Sequence, residues 1–426
     1  MQHRAFLGLT EIAGYFGALS VGLERAGIPC YQLDESHDPF SYRGSGPQTR
    51  IGALLGRLQG GSGSGPRAIF TGPLILAVRI ARLLHRLLVL AYALLRCDIF
   101  ILNGYGFFRA RELVLLRMLR KKVVWVFTGS DHRPPYLNAR AVRASWPQTV
   151  APLIRDTAWL RRRIRLIEGS KAIIIAHSAS AQLHARPFVQ FLAVGIPVDI
   201  PPDVKPGAGR PPEDPVRLVH SPSDPLGKGT DRIRSIVDEL RSEGLAIDYV
   251  EIIGRPHREV LQALANADIL VDEVYSDTPL GVLGTEAAWY GVPTISGGYY
   301  ADELHHDLPH DLIPPCLFVP PDGLSEAVRR LVVDRGARLA LGARAAQFVR
   351  SRWTPELVAQ RYLQVIDGRA PTSWIFDPRN LSYVGGWGMP DQLRQEVASA
   401  VAETAGVVAL GLDGTPQLLG AIVAQP

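Results

Sequence analysis

A glycine-containing loop followed by a carboxylate is the part of the sequence best suited to binding chemistry. The segment 268–295 predicts an apolar strand, a loop with Gly281 and Gly284, a short helix carrying Glu286, and a second apolar strand. Unpaired backbone N–H groups at a helix N-terminus carry partial positive charge that suits a phosphate. The Glu286 carboxylate can accept hydrogen bonds from a ribose. From this segment alone, a plain turn role for the glycines is an equal alternative.

Polar residues also follow two apolar strands of the first half. Asn103 ends the strand that begins at position 98, and Thr128, Asp131 and His132 follow the strand that begins at position 122. In open parallel sheets, ligands bind beyond the carboxyl ends of the strands. These four residues are therefore candidate site residues, and a local turn or capping role is the alternative for each.

The elements that position these residues alternate between strands and helices along 426 residues, which is long for one domain and sufficient for two. The alternation predicts parallel sheets with right-handed crossovers. A proline-rich stretch interrupts it, so we predict a first domain at 1–196, a linker at 197–215 and a second domain at 216–365. Two Rossmann-like domains joined in this way leave a cleft between them, a usual place for a ligand.

The charge divides between the two halves. Residues 1–196 contain 26 basic and 10 acidic residues, a net charge of +16, whereas residues 197–426 contain 20 and 31, a net charge of −11. A basic half can face an anionic membrane surface, a phosphorylated acceptor or nucleic acid. A solvated, arginine-rich surface without a partner is the alternative.

Composition narrows the class of protein further. With 47% hydrophobic and 20% charged residues, the chain is expected to be globular. Cys30, Cys97 and Cys316 are too few and too scattered for a disulfide framework or a zinc site, so a reducing cytoplasm is the expected compartment. The apolar run at the N-terminus is too short for a signal peptide and predicts a first strand.

A long apolar helix is predicted over 73–97. Arg79, Arg82, His85 and Arg86 interrupt it at intervals that place charge on one face, which argues against a membrane span. We expect an amphipathic helix packed on its own sheet, and contact with anionic lipid is the alternative. The Gly- and Ser-rich segment 43–66 before it predicts a flexible surface loop.

Three ordered motifs of the second half resemble the family 4 retaining glycosyltransferases, which have the GT-B fold. In order, they are Lys228-Gly229, then Ile253-Gly254 with Ala267-Asp268, and then Gly281 with Glu286-Ala287 and Gly291-Val-Pro293. The loop around Gly14, the Gly-Ser-Asp at 129–131 and the Val-Gly-Ile-Pro-Val-Asp ending at Asp199 are similar to the first half of that family. The resemblance covers roughly residues 5 to 365.

The resemblance implies an α/β fold of the GT-B type with two Rossmann-like domains facing each other across a cleft. It also implies a glycosyltransferase that moves a sugar from a nucleoside-diphosphate sugar with retention of anomeric configuration, without a metal or another cofactor. Lys228 would face the charge that develops on the β-phosphate, Glu286 would hold the ribose hydroxyls, and Asp131 would face the sugar and acceptor with His132. The substrate-binding set extends to Gly14, Asn103, Thr128, His132, Ser221, Ser223, Gly229, Gly254, Arg255, Thr278, Leu280, Gly281, Val282 and Leu283.

The partners implied are a nucleotide-sugar donor and a small-molecule, glycan or lipid-linked acceptor that the sequence does not identify. No nucleic acid is expected, and the basic first half suggests association of a cytoplasmic protein with an anionic membrane surface. By resemblance, residues 366–426 are expected to cross back to the first domain, and a small appended module is the alternative.

Three positions depart from the family pattern. Thr278 stands where the first carboxylate of the family's Glu-x7-Glu pair would fall, beside Asp277. Pro222 and Ser223 stand where an arginine usually precedes the lysine, and Thr128 replaces a usual histidine. These departures keep two alternatives open: a GT-B pseudoenzyme that binds a nucleotide or an anionic surface without transfer, and a sugar-nucleotide epimerase.

Overall fold

Apolar strand segments build two separate sheets. In the computed structural model, which describes residues 3–35, 72–207 and 211–422, segments such as Ala5–Leu9 and Ile99–Asn103 are buried along their whole length. Strands buried on both faces are typical of parallel sheets covered by helices. The strands are β1 Ala5–Leu9, β2 Cys30–Asp34, β3 Ile99–Asn103, β4 Lys122–Val126, β5 Ile173–Ala176, β6 Phe188–Gln190, β7 Val216–His220, β8 Ile247–Glu251, β9 Ile269–Val271, β10 Thr294–Gly297, β11 Leu317–Val319 and β12 Ile375–Phe376.

The first sheet has seven strands in the order β12-β6-β5-β4-β3-β1-β2, and the second has five in the order β11-β10-β9-β7-β8. Every pairing is parallel except that of β12 with β6. Because all carboxyl ends of a parallel sheet share one edge, the loops after β7 and β9 lie together at one edge of the second sheet, and the loop after β4 lies at the corresponding edge of the first.

Helices cover both sheets. Their bounds are Tyr15–Arg25, Gly72–Arg96, Glu112–Met118, Ala139–Arg143, Ala151–Gly169, Phe191–Val194, Pro225–Lys228, Thr230–Ser242, His257–Leu264, Val282–Trp289, Leu304–Asp307, Leu324–Val333, Arg335–Arg352, Pro355–Ile366, Asp391–Ala405 and Leu419–Ile422.

The C-terminal part of the chain returns to the first sheet. The helix Pro355–Ile366 packs on the helix Tyr15–Arg25, where the hydroxyls of Tyr15 and Tyr362 lie 2.8 Å apart. Gly22 permits this close approach, because a Cβ at that position would lie only 1.9 Å from the Pro355 carbonyl oxygen. Farther along, β12 adds an antiparallel strand to β6.

The predicted fold class is confirmed: the chain is α/β, with two Rossmann-like sheets, parallel apart from β12, facing each other across a cleft as in the GT-B fold. The domain bounds proposed from the sequence stay a prediction. The predicted flexible loop at 43–66 lies outside the described residues.

The helix Gly72–Arg96 differs in one respect from the expectation that its apolar side would pack on the sheet. Leu90 and Ala93 do pack inward, but a second apolar row faces outward. Its members are Leu76, Ile80, Leu83, Leu84, Leu87, Leu88, Tyr92 and Leu95. Among the described residues, no helix is long and apolar enough to span a membrane.

Candidate functional site

A cleft of about 330 Å³ lies between the two sheets. The first half contributes the turn after β4, with Thr128, Gly129 and Ser130, and the second half contributes Lys228 and the segment after β9. The C-terminal segment adds Trp387. The cleft is therefore built from the carboxyl ends of strands in both sheets, as parallel sheets favour.

Lys228 ends the short helix Pro225–Lys228 and is held in the cleft by a buried carboxylate. Its Nζ lies 2.7 Å from Oδ1 of Asp272, which is only 1% exposed. The other carboxylate oxygen of Asp272 lies beside the start of the helix Val282–Trp289, 3.4 Å from where a Cβ on Gly281 would be. The charge of Lys228 and the positive end of that helix thus face one anionic group.

Glu273 is the next residue and also lines the cleft. Burial raises the pKa of the Glu273 carboxyl to about 7; Lys228 opposes this shift, and the neighbouring charge of Asp272 adds to it. A carboxyl group that changes charge near neutral pH in a cleft is a candidate for proton transfer or for pH-dependent ligand binding.

An ion pair joins the two halves at the cleft. The guanidinium of Arg133, from the turn after β4, pairs with the carboxylate of Asp277, from the segment after β9. Ser180 Oγ donates to Oδ2 of Asp277 over 2.7 Å, and Arg133 donates to Ser180 Oγ over 3.1 Å. The carboxylate next to Thr278 is therefore held by the first half of the chain.

Glu286 is buried and faces a histidine. Nε2 of His257, the first residue of the helix His257–Leu264, lies 2.7 Å from Oε1 of Glu286. Burial raises the pKa of the Glu286 carboxyl, whereas the contact with His257 lowers it. A ribose at Glu286 would share this carboxylate with His257.

The predicted residues of the first half divide between the cleft and structural roles. Thr128 lines the cleft. Asp131 does not line it; instead Oδ1 of Asp131 accepts hydrogen bonds from the backbone N–H groups of Thr128 at 2.9 Å and Gly129 at 3.0 Å, which fixes the turn. Asn103 bonds both the N–H and the carbonyl of Thr10, so its side chain ties β3 to the loop after β1.

Gly14 begins the helix Tyr15–Arg25 with a positive φ of 83°. The N–H groups that this helix start presents are already bonded, because the Glu11 carboxylate accepts from Phe16 at 3.1 Å and Gly17 at 2.9 Å. The predicted substrate contact at Gly14 would therefore compete with Glu11.

His132 requires a correction, because the expectation that it faces the cleft does not match its position. The side chain is 0% exposed and packs against Phe127 in the core, with Nδ1 of His132 lying 3.2 Å from Nε2 of His184. Burial lowers the pKa of His132 well below its usual range, so the imidazole is neutral at pH 7.

The predicted residues of the second half also divide between the cleft and positions outside it. Ser223 and Thr278 line the cleft, whereas the Ser221 hydroxyl donates to the Ile252 carbonyl over 3.1 Å and the Leu280 side chain is buried in the core. Gly229 has a positive φ of 74°, and a Cβ there would lie 2.7 Å from Val274 Cγ2.

Arg255 is exposed and lines a separate surface depression of about 500 Å³ with Glu251 and Glu259; Gly254 does not line the cleft. Gly281, Val282 and Leu283 form the start of the helix Val282–Trp289, with Gly281 as its N-cap. None of the three lines the cleft, and their predicted role at a phosphate stays a prediction.

Several site residues were missed by the sequence reasoning. Asp272 and Glu273 directly follow β9, so the rule that ligands bind at strand carboxyl ends could have found them. Arg133 follows the predicted turn residues and could have been included with them. His257 and Trp387 had no such signal. Among the described residues, no three His, Cys, Asp or Glu side chains come together as a metal-binding group.

Comparison with known proteins gives structural similarity alone. No protein-family model matches the chain, and no curated sequence matches it. Among solved structures, HepE from Anabaena in complex with UDP-glucose is similar at 13% identity and a TM-score of 0.46, over 86% of this chain and 100% of that chain. The glycotransferase of kitacinnamycin is similar at 14% identity and a TM-score of 0.45, over 87% and 99%. SnogD from Streptomyces nogalater is similar at 16% identity and a TM-score of 0.39, over 86% and 100%.

Proposed function

We propose that the chain is a glycosyltransferase that takes its sugar from a nucleoside-diphosphate sugar bound in the cleft and retains the anomeric configuration. The observation that carries this proposal is that the Lys228 ammonium, which lines the cleft, and the start of the helix Val282–Trp289 lie against the two oxygens of one carboxylate, that of Asp272. Two positive groups directed at one point are what a diphosphate leaving group needs.

The chemistry requires little beyond charge stabilisation. The bond between the anomeric carbon and the diphosphate oxygen breaks, a bond to an acceptor oxygen forms on the same face of the sugar, and the acceptor proton is released. Negative charge grows on the β-phosphate as the first bond breaks, and Lys228 lowers the barrier by facing that charge. The diphosphate would compete with Asp272 for the Lys228 ammonium.

A panel of nucleotide sugars tests the proposal. We expect release of nucleoside diphosphate from at least one of them, at a rate that chelation of divalent metals leaves unchanged. NMR of the transferred or hydrolysed sugar should show that the first product has the anomeric configuration of the donor. Absence of release with every donor would contradict the proposal.

A binding protein without transfer is the second candidate, and a specific observation favours it. Two cations that line the cleft are already paired within the chain, Lys228 with Asp272 and Arg133 with Asp277. The predicted ribose ligand Glu286, which does not line the cleft, is paired with His257. Calorimetry with nucleoside diphosphates separates the two candidates, since heat of binding without turnover of any nucleotide sugar supports the pseudoenzyme.

The outward apolar row of the helix Gly72–Arg96 supports an anionic membrane surface as a partner. Leu88 is 69% exposed, and Arg79 on the same helix is exposed as well. Amphipathic helices with leucine and arginine on the surface bind anionic lipid in this way. We expect vesicles containing phosphatidylglycerol to carry the protein upward in flotation, and Leu84→Ser/Leu88→Ser to abolish this; equal flotation of both proteins would contradict the assignment.

A further inference from the structure

A second and larger cavity, of about 1020 Å³, lies within the first half of the chain and adjoins the cleft. Ser130 borders both cavities. One wall is the loop from Tyr105 to Arg111, which follows β3, and the other is the helix Ala151–Gly169. None of the motifs that suggest a donor site accounts for this cavity.

Aromatic and cationic side chains alternate on the helical wall. Arg155, Trp159 and Arg163 are spaced four residues apart, so they share one face of the helix. The rings of Trp159 and Tyr105 lie 5.6 Å apart, and the Arg163 guanidinium lies 5.5 Å from the Trp159 ring and 5.3 Å from the Tyr105 ring. These side chains form a continuous cationic and aromatic surface.

The charges of this cavity are incompletely paired. Arg163 is only 4% exposed, donates to the Asp131 carbonyl over 3.1 Å, and has no partner for Nε among the described residues. Burial lowers the pKa of Arg163. Within the described ranges, Arg109 and Arg111 pair with no carboxylate, although both are exposed at the rim. Two carboxylates also line the cavity: Asp156 is paired with Arg155, and Asp131 accepts from the turn N–H groups of Thr128 and Gly129.

The loop that presents these arginines is held in place. The Glu112 carboxylate accepts hydrogen bonds from the backbone N–H groups of Phe107 at 2.9 Å and Phe108 at 3.0 Å. Because this carboxylate is buried and engaged with the backbone, it fixes the loop without neutralising Arg109 or Arg111.

We propose that this cavity binds an oxyanion-bearing ligand, a phosphate or carboxylate compound, with the anion on Arg109, Arg111 and Arg163 and a ring or apolar face against Trp159 and Tyr105. Guanidinium groups bind carboxylate and phosphate through paired hydrogen bonds, and a buried Nε–H without a partner gains most from such an acceptor. The identity of this ligand rests on the proposed function: because the cavity adjoins the cleft that would hold the donor, the ligand is the sugar acceptor.

Pyrophosphate is the probe, titrated by calorimetry and by intrinsic tryptophan fluorescence, to which Trp159 contributes. The titration is made in the wild type and in Lys228→Ala, which removes the proposed donor site, so binding in Lys228→Ala supports the second site even if no sugar transfer is ever observed. We expect Arg109→Gln/Arg111→Gln to weaken this binding at least about tenfold, an amount typical of a lost charged hydrogen bond. The exposed positions make these substitutions safe for folding.

Arg162→Gln is the matched control for Arg163→Gln, because Arg162 is the exposed neighbour on the same helix and does not line the cavity. Arg163→Gln should weaken binding and Arg162→Gln should not. Flotation of the protein with phosphatidylglycerol vesicles distinguishes the two sources of the anion. Flotation that pyrophosphate inhibits identifies a lipid phosphate as the ligand, whereas binding of pyrophosphate without such flotation identifies a soluble ligand. Either result supports the site. Equal affinity of Arg109→Gln/Arg111→Gln and wild type, or no binding to Lys228→Ala, would overturn the proposal.

Discussion

Arg133 and Asp277 form an ion pair that links the two sheets at the cleft, and both side chains are at most one-tenth exposed. A buried pair of this kind loses more when one partner is removed than an exposed pair does. We expect a double-mutant cycle with Arg133→Gln and Asp277→Asn to give a coupling of about 2 kcal/mol in the free energy of unfolding. The exposed pair of Arg155 and Asp156 is the control, with an expected coupling below about 0.5 kcal/mol. Equal coupling in the two cycles would show that burial between the sheets does not strengthen the pair of Arg133 and Asp277.

The contact between His257 and Glu286 gives a prediction about nucleotide binding. Glu286→Gln keeps an acceptor for His257 but loses the charge that would hold ribose hydroxyls. We expect nucleotide affinity, measured by calorimetry, to fall by about 2 kcal/mol with little change in the melting temperature. Glu259→Gln, an exposed carboxylate on the neighbouring helix, should leave affinity unchanged. Unchanged affinity in Glu286→Gln would remove Glu286 from the ribose site.

Glu273 predicts a dependence of stability on pH. Its pKa is raised to about 7 in the folded protein, above the value of about 4.3 expected when unfolded. Between these values the folded state binds more protons than the unfolded state, so stability falls as pH rises. Relative to Glu273→Gln, the wild type should lose about 2 kcal/mol between pH 5 and pH 8, less than the full shift because the side chain keeps some contact with water. The free energy of unfolding of both proteins, measured by chemical denaturation, is compared as a function of pH. Parallel curves of this free energy for wild type and Glu273→Gln would contradict the raised pKa.

His132 predicts the opposite dependence of stability on pH. Its pKa is depressed by burial, so its contribution to stability is present above about pH 6.5 and is lost as pH falls. Burial also lowers the pKa of His177, which lines the cleft, to about 4, so His132→Phe should reduce the acid-induced loss without removing it. Sugar-donor kinetics should be unchanged in His132→Phe, and the exposed His305→Asn should change neither property. A specific loss of turnover in folded His132→Phe would return His132 to the site.

Much of the fold follows from local patterns. Apolar runs such as Ala5–Leu9 and Ile269–Val271 carry the bounds that the structure shows, because strands buried on both faces need uninterrupted apolar residues. The helix Gly72–Arg96 was also predicted closely, but its outward leucine row was not. Hydrophobic periodicity predicts that a face is apolar without showing which surface covers it.

The candidate site was predicted only where a strand end or a motif marked it. Lys228, Thr128, Ser223 and Thr278 lie at the cleft, as their positions in the chain suggested. His132 closes the turn through the hydrogen bond from its N–H to the Gly129 carbonyl, but its side chain points into the core. Sequence spacing does not determine which way a turn residue points. The pairing of Arg133 with Asp277, 144 positions apart, depends on how the two sheets pack.

Release of nucleoside diphosphate from nucleotide sugars, compared between wild type, Lys228→Ala and Lys205→Ala, tests the central claim most directly. Lys228 faces the proposed leaving group, whereas Lys205 is an exposed lysine outside the cleft. We expect wild type and Lys205→Ala to release diphosphate from the same donor at equal rates, and Lys228→Ala to be slower by about 2 to 4 kcal/mol of activation free energy. Circular dichroism confirms that each protein is folded at the assay temperature. Equal rates in folded Lys228→Ala and wild type, or no release from any donor, would contradict the claim.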